Sequence, residues 1–326
     1  MEQAGGQAGD RAGAASGASS LTSASDAQAA DALRAGRLVI LPTETVYGLA
    51  ADASNAAAVA SIFEAKGRPR FNPLIAHVAD AMQAEALAVF DDRARRLAEA
   101  FWPGPLTLVA PVRDTRAVCD LARAGLESIA VRVPGHARAR AVISAFGGAV
   151  VAPSANRSGR PSPTTFADAV EETGSSAAAA IDGGPCAVGV ESTVVSVLNG
   201  RVALLRPGAV TRQEIEALIG PLDTAGEGHR SPGRLTLHYA PDAPVRIEAR
   251  ERQHGEILLG FGPGVGDPRW SLSPSGDVRE AAAKLFRLLR EADRERPAGI
   301  AVSHIPNDGL GEAINDRLRR AAGFVG

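Results

Sequence analysis

Lysine is almost missing from this chain. Of 35 basic residues only Lys66 and Lys284 are lysines, and all the others are arginine. Aromatic residues make up 4% of the 326, so any core has to be assembled mainly from Ala, Val, Leu and Ile. The two cysteines, Cys119 and Cys186, lie far apart and form no CxxC or Cys/His cluster, which speaks against a disulfide framework and against a zinc site. No window approaches the ~18 uninterrupted apolar residues of a membrane span. Positive charge is not in excess, because the formal net charge is −2; a broad nucleic-acid-binding surface is disfavoured, and a local basic cleft is still allowed. The opening "MEQAGGQAGDRAGAASGASS" has neither a basic n-region nor an apolar h-region, so residues 1–24 are expected to be a low-complexity tail and not a secretory signal. Together these absences predict a soluble cytoplasmic protein with no membrane partner. GxSxG, HExxH and Walker A patterns are also missing, and no two histidines have metal-ligand spacing, so no metal ligand is assigned.

What is present is ordinary globular composition, 45% hydrophobic and 22% charged. Helical spacing begins at residues 25–35, with Ser25 or Asp26 as the cap, and an apolar run at 37–41 reads as a strand. Val59, Ile62 and Phe63 place a helix over 55–66, closed by Gly67. Strands are expected at 73–78, 106–112, 128–133 and 149–153, and helices at 93–101 and 136–148. Residues 188–198 and 202–205 read as a strand pair around the turn Asn199-Gly200, followed by a helix at 210–219. Strands alternate with helices while some neighbours look hairpin-linked, so the expected fold class is α/β with a twisted, mixed, open sheet flanked by helices. Residues 220–244 are Gly-, Pro- and His-rich and read as a linker. Residues 245–326 repeat the alternation on a smaller scale, as a small Rossmann-like second domain with an amphipathic helix capped by Ser275 or Asp277.

Without a nucleophile motif, function is sought in polar groups on loops after strands, where ligands of open α/β sheets sit. Four clusters qualify. "LPTETVYGLAAD" carries Thr43, Glu44, Thr45 and Tyr47; the plainer reading is a polar turn, but only two tyrosines exist in the chain, Tyr47 and Tyr239. "AKGRPRFNPL" sets Lys66, Arg68 and Asn72 beside one another. Two cations this close suit an intervening anion, with lysine as a point charge and arginine as a planar fork for a polyphosphate. The plainer reading, a solvated basic helix end, is weakened by the rarity of lysine. "SIAVRVPGH" puts Ser128 and Arg132 on one strand face, which would also suit an edge strand with a polar outer face. "APSANRSGRPSPTT" follows a strand and offers Ser154, Asn156, Ser158 and Ser162, small donors suited to a nucleotide or phosphate. Ser192, Thr193 and Arg206 add hydroxyls and a cation at later strand ends, while His77 within "LIAHV" reads on its own as a core histidine.

In chain order, "PTETVYGL", "IFEAKGRPRFNPLIAHV", "WPGPLT", "SIAVRVP", "APSANRSGRPSPT", "ESTVV" and "LLRPGAV" resemble the threonylcarbamoyl-AMP synthase family, whose main domain is called YrdC-like. "SPGRLTLHYAP" and the C-terminal "GLGEAINDRLRRAAG" resemble its two-domain branch. The resemblance implies a YrdC-like domain over residues 25–219, and a nucleotidyltransferase that makes L-threonylcarbamoyladenylate and pyrophosphate from L-threonine, bicarbonate and ATP, with Mg2+ accompanying ATP. The product would feed tRNA N6-threonylcarbamoyladenosine formation through a downstream threonylcarbamoyl-transfer machinery, direct tRNA contact being left open. It implies a catalytic set of Lys66, Arg68, Ser154 and Asn156. ATP contacts would fall on Arg68, Asn72, Ser128, Ala152, Ser154, Ser162, Arg206 and Tyr239, and threonine contacts on Thr45, His77, Arg132 and Ser192. The basic and aromatic run usual between "SPG" and "HYAP" is replaced by Arg234-Leu235-Thr236-Leu237. Two competing readings are a non-catalytic RNA-binding protein using the Lys66/Arg68 cleft and a related carbamoyl-adenylate-forming maturation factor. The net charge opposes the first, and the lack of zinc-type cysteine clusters opposes the second.

Overall fold

The computed structural model describes residues 21–69, 72–224 and 238–324. The expected tail falls outside the described residues up to position 20, as does the Ser231–Leu237 part of the linker.

The larger unit runs α1 (Asp26–Arg34), β1 (Val39–Leu41), β2 (Gly48–Asp52), α2 (Ala56–Lys66), β3 (Ile75–His77), α3 (Ala81–Leu87), α4 (Asp92–Phe101) and β4 (Leu106–Pro111). It continues through α5 (Asp120–Arg123), β5 (Ser128–Arg132), α6 (Ala137–Phe146), β6 (Val150–Val151), α7 (Phe166–Thr173), β7 (Ala179–Ala180), β8 (Thr193–Leu198), β9 (Arg201–Arg206) and α8 (Arg212–Ile219). Local chemistry sets several boundaries. Ser25 caps α1 in a reciprocal capping box with Gln28. Asn55 accepts the first free N–H groups of α2, and Gly67 closes that helix in the left-handed conformation at φ 58°. Asn199 and Gly200 both have positive φ, as a two-residue hairpin turn between β8 and β9 requires.

The strands form one open nine-stranded sheet, ordered β7-β1-β2-β6-β3-β5-β4-β8-β9, with parallel and antiparallel neighbours mixed. Both faces of β1 are buried. Leu38 and Ile40 join the core beneath α2 and α4, while Val39 and Leu41 join the core beneath α1 and α6. Helices α1 and α6 cover only the β1-β2-β6 half of their face. Over β3, β5, β4 and β8 that face carries just a small apolar cluster of Ile75, Val109, Ala130 and Val194. His77 and Arg132 share this face by strand alternation. The suggestion that residues 128–133 form an edge strand is corrected: β5 pairs with both β3 and β4, well inside the sheet.

The smaller unit comprises β10 (Val245–Arg246), β11 (Glu256–Phe261), β12 (Ser271–Ser273), α9 (Val278–Arg294), β13 (Gly299–Val302) and α10 (Leu310–Ala321). Its four strands, ordered β10-β13-β11-β12, are all parallel. Asp277, and not Ser275, caps α9. The core of this unit extends to Val46, Val190 and Tyr239, so the seam between the two sheets is itself apolar and packed.

Candidate active site

Four loops converge over the sparsely covered half of the sheet, and main-chain bonds hold them there. The Leu49 N–H donates to the Pro153 carbonyl at 2.8 Å, and the Ala155 N–H donates to the Tyr47 carbonyl at 2.8 Å. Gly48 permits this approach, because a Cβ there would stand 3.1 Å from that of Ala152. The Tyr47 hydroxyl serves architecture, donating to the Gly184 carbonyl at 2.7 Å and accepting from the Gly183 N–H at 3.1 Å.

The resulting cleft is lined by Thr45, Arg68, His77, Arg132, Ala152, Ser154, Ser192, Arg206 and Tyr239, together with Val46, Glu191 and His238. Lys66, Asn72, Ser128, Asn156 and Ser162 do not line it. Lys66 is buried, and its ammonium donates to the main-chain carbonyls of Ser154 and Asn156. Burial, and then the neighbouring Arg68 guanidinium, push the Lys66 ammonium well below its usual range, with Glu172 opposing them. The Asn156 amide donates to the carbonyls of Arg157 and Arg160, which folds the loop back on itself. Lys66 and Asn156 thus shape the loop that presents Ser154. The Ser162 hydroxyl is buried and donates to Glu191.

Within the cleft, Arg132 donates to Glu44 at 2.6 Å, to Thr45 at 3.0 Å and to the Gly104 carbonyl at 3.1 Å. Burial alone would raise the Glu44 carboxyl, but Arg132 and the Gly135 N–H hold it below its usual value. The Nδ1 of His77 lies 3.1 Å from the Ile75 carbonyl, which can only accept, so the proton sits on Nδ1 and the neutral ring keeps a bare Nε2. Burial, then Arg132, push this imidazole down to about 3. Arg206 donates to the Ser192 carbonyl at 2.9 Å and to its hydroxyl at 3.2 Å, and the Ser192 hydroxyl also meets that of Thr107 at 2.8 Å. Arg68 is half-buried, desolvation of its guanidinium brings its pKa down to about 10, its Nη2 reaches the Pro73 carbonyl at 3.5 Å, and its Nε has no partner among the described residues. A half-buried guanidinium with an unpartnered N–H, in the same cleft as Ser154 and Ser192, has the chemistry to accept an anion.

Three charged residues tied to the cleft by hydrogen bonds escaped sequence reasoning. Glu44 was seen in its cluster but given no task. Glu191 and Arg317 form an ion pair at 2.8 Å between the two units, and both side chains are buried. The signal for Arg317 was present: an arginine on the otherwise apolar face of α10, among Ile314, Leu318 and Ala321.

Comparison with known proteins follows the same outline. Residues 31–208 match the family model of Sua5, YciO and YrdC, described as "Telomere recombination", and residues 210–323 match the threonylcarbamoyl-AMP synthase C-terminal domain. The threonylcarbamoyl-AMP synthase of Bacillus subtilis is 41% identical over 321 residues, covering 91% of this chain and 92% of the relative. That of Pyrococcus abyssi is 40% identical, covering 91% and 93%. The crystal structure of P. abyssi Sua5 complexed with L-threonine superimposes with a TM-score of 0.83 at 38% identity, over 92% of this chain and 94% of that one.

Proposed function

This chain belongs to the threonylcarbamoyl-AMP synthase family, and from that premise we propose that it joins L-threonine, bicarbonate and ATP into L-threonylcarbamoyladenylate and pyrophosphate. The observation that carries the reading is the gathering of Thr45, His77, Arg132 and Ser192 in one cleft with Arg68, Ser154 and Arg206. The first set suits a small amino acid: a cation for its carboxylate, hydroxyls, and a bare imidazole nitrogen able to accept from its amine or hydroxyl. The second suits a polyphosphate.

The chemistry explains why no protein nucleophile is found. Threonine's amine adds to bicarbonate and loses water to give an N-carboxylate. One carboxylate oxygen attacks the α-phosphorus of ATP, the bond from that phosphorus to the β-phosphate's bridging oxygen breaks, and pyrophosphate leaves with the electron pair. Such a displacement needs alignment and charge neutralisation. Arg68 and Arg206 supply cations to the phosphates, Ser154 a hydroxyl and Ala152 its main chain. Lys66 and Asn156 hold the loop, Ser162 acts at one remove through its bond to Glu191, and Asn72 and Ser128 stand outside the cleft that would receive the nucleotide. Tyr239 caps the nucleotide. The cavity it borders measures about 50 Å³, smaller than ATP, so the cleft has to widen when the nucleotide enters.

Mg2+ arrives as part of the substrate MgATP. The cleft's carboxylate, Glu191, is committed to Ser162 and Arg317, Glu44 behind Arg132 is committed to Arg132 and the Gly135 N–H, and among the described residues no cluster of three metal-ligating side chains occurs. Phosphate and water oxygens therefore hold the ion. The product, a mixed anhydride, is an activated acyl group for the amine of a tRNA adenosine, delivered through the threonylcarbamoyl-transfer machinery. Pyrophosphate release from ATP, followed with and without L-threonine and bicarbonate, tests the reading. Release that needs both supports it; threonine-independent release, or none, overturns it.

A further inference from the structure

Arg317 is a cation placed where an apolar residue would be expected. It sits on the buried face of α10 and is 1% exposed. Its Nε donates to Glu191 at 2.8 Å, and its Nη1 donates to Asp316 at 2.8 Å and to the Pro207 carbonyl at 2.9 Å. The guanidinium carbon lies 5.5 Å from the centroid of the Tyr239 ring, within reach of a cation–π contact. Phe286 of α9 packs against the same ring at 5.4 Å. The linker tyrosine that borders the cleft is therefore seated on two helices of the C-terminal unit.

Glu191 is a buried carboxylate in a cleft assigned above to a polyphosphate, and that combination needs an explanation. An anion there would repel phosphate oxygens and compete with them for Arg206, which is also near it. Arg317 resolves the conflict from outside the catalytic unit, because it occupies one carboxylate oxygen while the Ser162 hydroxyl occupies the other. We infer that Arg317 is a positioning residue for ATP: it commits Glu191 away from the nucleotide's phosphates and seats Tyr239, so the C-terminal domain is a working wall of the cleft. This rests on the synthase reading of the preceding section.

The test is a double-variant cycle on the full chain, read as separate KM values for ATP and L-threonine in the pyrophosphate-release assay. Arg317→Met raises KM for ATP by at least about tenfold, since it strips the partner from a buried charge. The threonine side chains keep their own contacts, so KM for L-threonine stays within about twofold. Glu191→Gln removes the anion and leaves Arg317 its bonds to Asp316 and Pro207, so KM for ATP does not rise. The double variant Glu191→Gln/Arg317→Met returns KM for ATP to within about threefold of wild type. An unchanged KM for ATP in Arg317→Met overturns the inference, as does a double variant no better than Arg317→Met, which would mean packing alone. Should Arg317→Met fail to fold, Glu191→Gln decides: a rise in KM for ATP above about threefold overturns the charge argument. A wild-type chain lacking threonine-dependent turnover overturns the functional reading and this inference with it. A wild type that turns over beside an unaffected Arg317→Met overturns this inference alone.

Discussion

The ammonium of Lys66 is bonded to the main-chain carbonyl of Asn156, 90 positions along the chain, and the Lys66 carbonyl in turn accepts from the Ser158 N–H at 2.7 Å. The Ser154 carbonyl is the second acceptor for the same ammonium. A compact ammonium serves two carbonyls that converge on one buried point, whereas a planar guanidinium spreads its donors and adds volume. Lys66→Arg is therefore expected to lower kcat/KM for ATP by at least about tenfold in spite of its conserved charge, and Lys66→Ala by about a hundredfold. Pyrophosphate release measures both, with circular dichroism to check the fold. A fully active Lys66→Arg variant would refute the role.

Arg290 and Glu172 form a second pair across the seam, at 2.9 Å, with their side chains 4% and 2% exposed. Glu172 also accepts from the Arg157 N–H at 2.9 Å and pairs with Arg160 at 3.0 Å, so it anchors the loop after β6. Removing one partner leaves a buried carboxylate with only half-exposed cations to pair with. Arg290→Leu is expected to cost about 3–5 kcal/mol, seen as a lower urea midpoint. A loss under about 1 kcal/mol would show that the pair is solvated in practice.

His77 gives the stability curve an acid slope. Its pKa is about 3 in the folded chain and near 6.5 when unfolded, chiefly because burial disfavours the charged ring. Between those values the unfolded chain binds a proton that the folded chain refuses. Stability therefore falls as pH drops from about 6.5 towards about 3, by up to ~1.4 kcal/mol per pH unit from this group. His238, also held near 3 by burial, acts in the same direction. His77→Gln is expected to flatten the slope of unfolding free energy against pH by up to about one proton in that window. An unchanged slope would mean that the imidazole is not buried neutral.

Local signals were legible because their causes are local. The cap of α1, the left-handed Gly67 and the Asn199-Gly200 turn each follow from a few adjacent residues, whereas Asn55, read as the first residue of α2, turns out to be its cap. Strand β2 escaped because "GLAAD" has no β-branched residue; it becomes a strand only by pairing with β1 and β6. Short β7 and β12 depend on strand pairing in the same way, whereas α7 carries a local cap, the Thr165 hydroxyl accepting from the Asp168 N–H. The site divides along this line too. Polar loop residues after strands, from Thr45 to Arg206, could be picked out and assembled through resemblance. The partners that tune them could not, since Glu191 finds Arg317 only when two units 126 positions apart in sequence are packed together. Lys66 shows the limit most sharply: its rarity draws attention to it as a cation for a polyphosphate, while its bonds to two main-chain carbonyls needed the folded loop to be seen.

Glu44 makes the last case, because both groups it serves are donors. Its Oε1 accepts from Arg132 at 2.6 Å and its Oε2 accepts from the Gly135 N–H at 2.8 Å. Glutamine has the same shape but only one accepting oxygen, so in Glu44→Gln an NH2 group has to face either the guanidinium or the amide, donor against donor. The buried Arg132 also loses its neutralising charge at the point where it meets Thr45. A lost charge-assisted bond is worth about 1.5–3 kcal/mol, which corresponds to roughly a ten- to hundredfold rise in KM for L-threonine. KM for ATP should move far less, since Arg68, Ser154 and Arg206 make no bond to Glu44. Separate saturation curves for the two substrates distinguish the outcomes. Equal rises in both KM values would place Glu44 in general support of the fold and not in the orientation of Arg132.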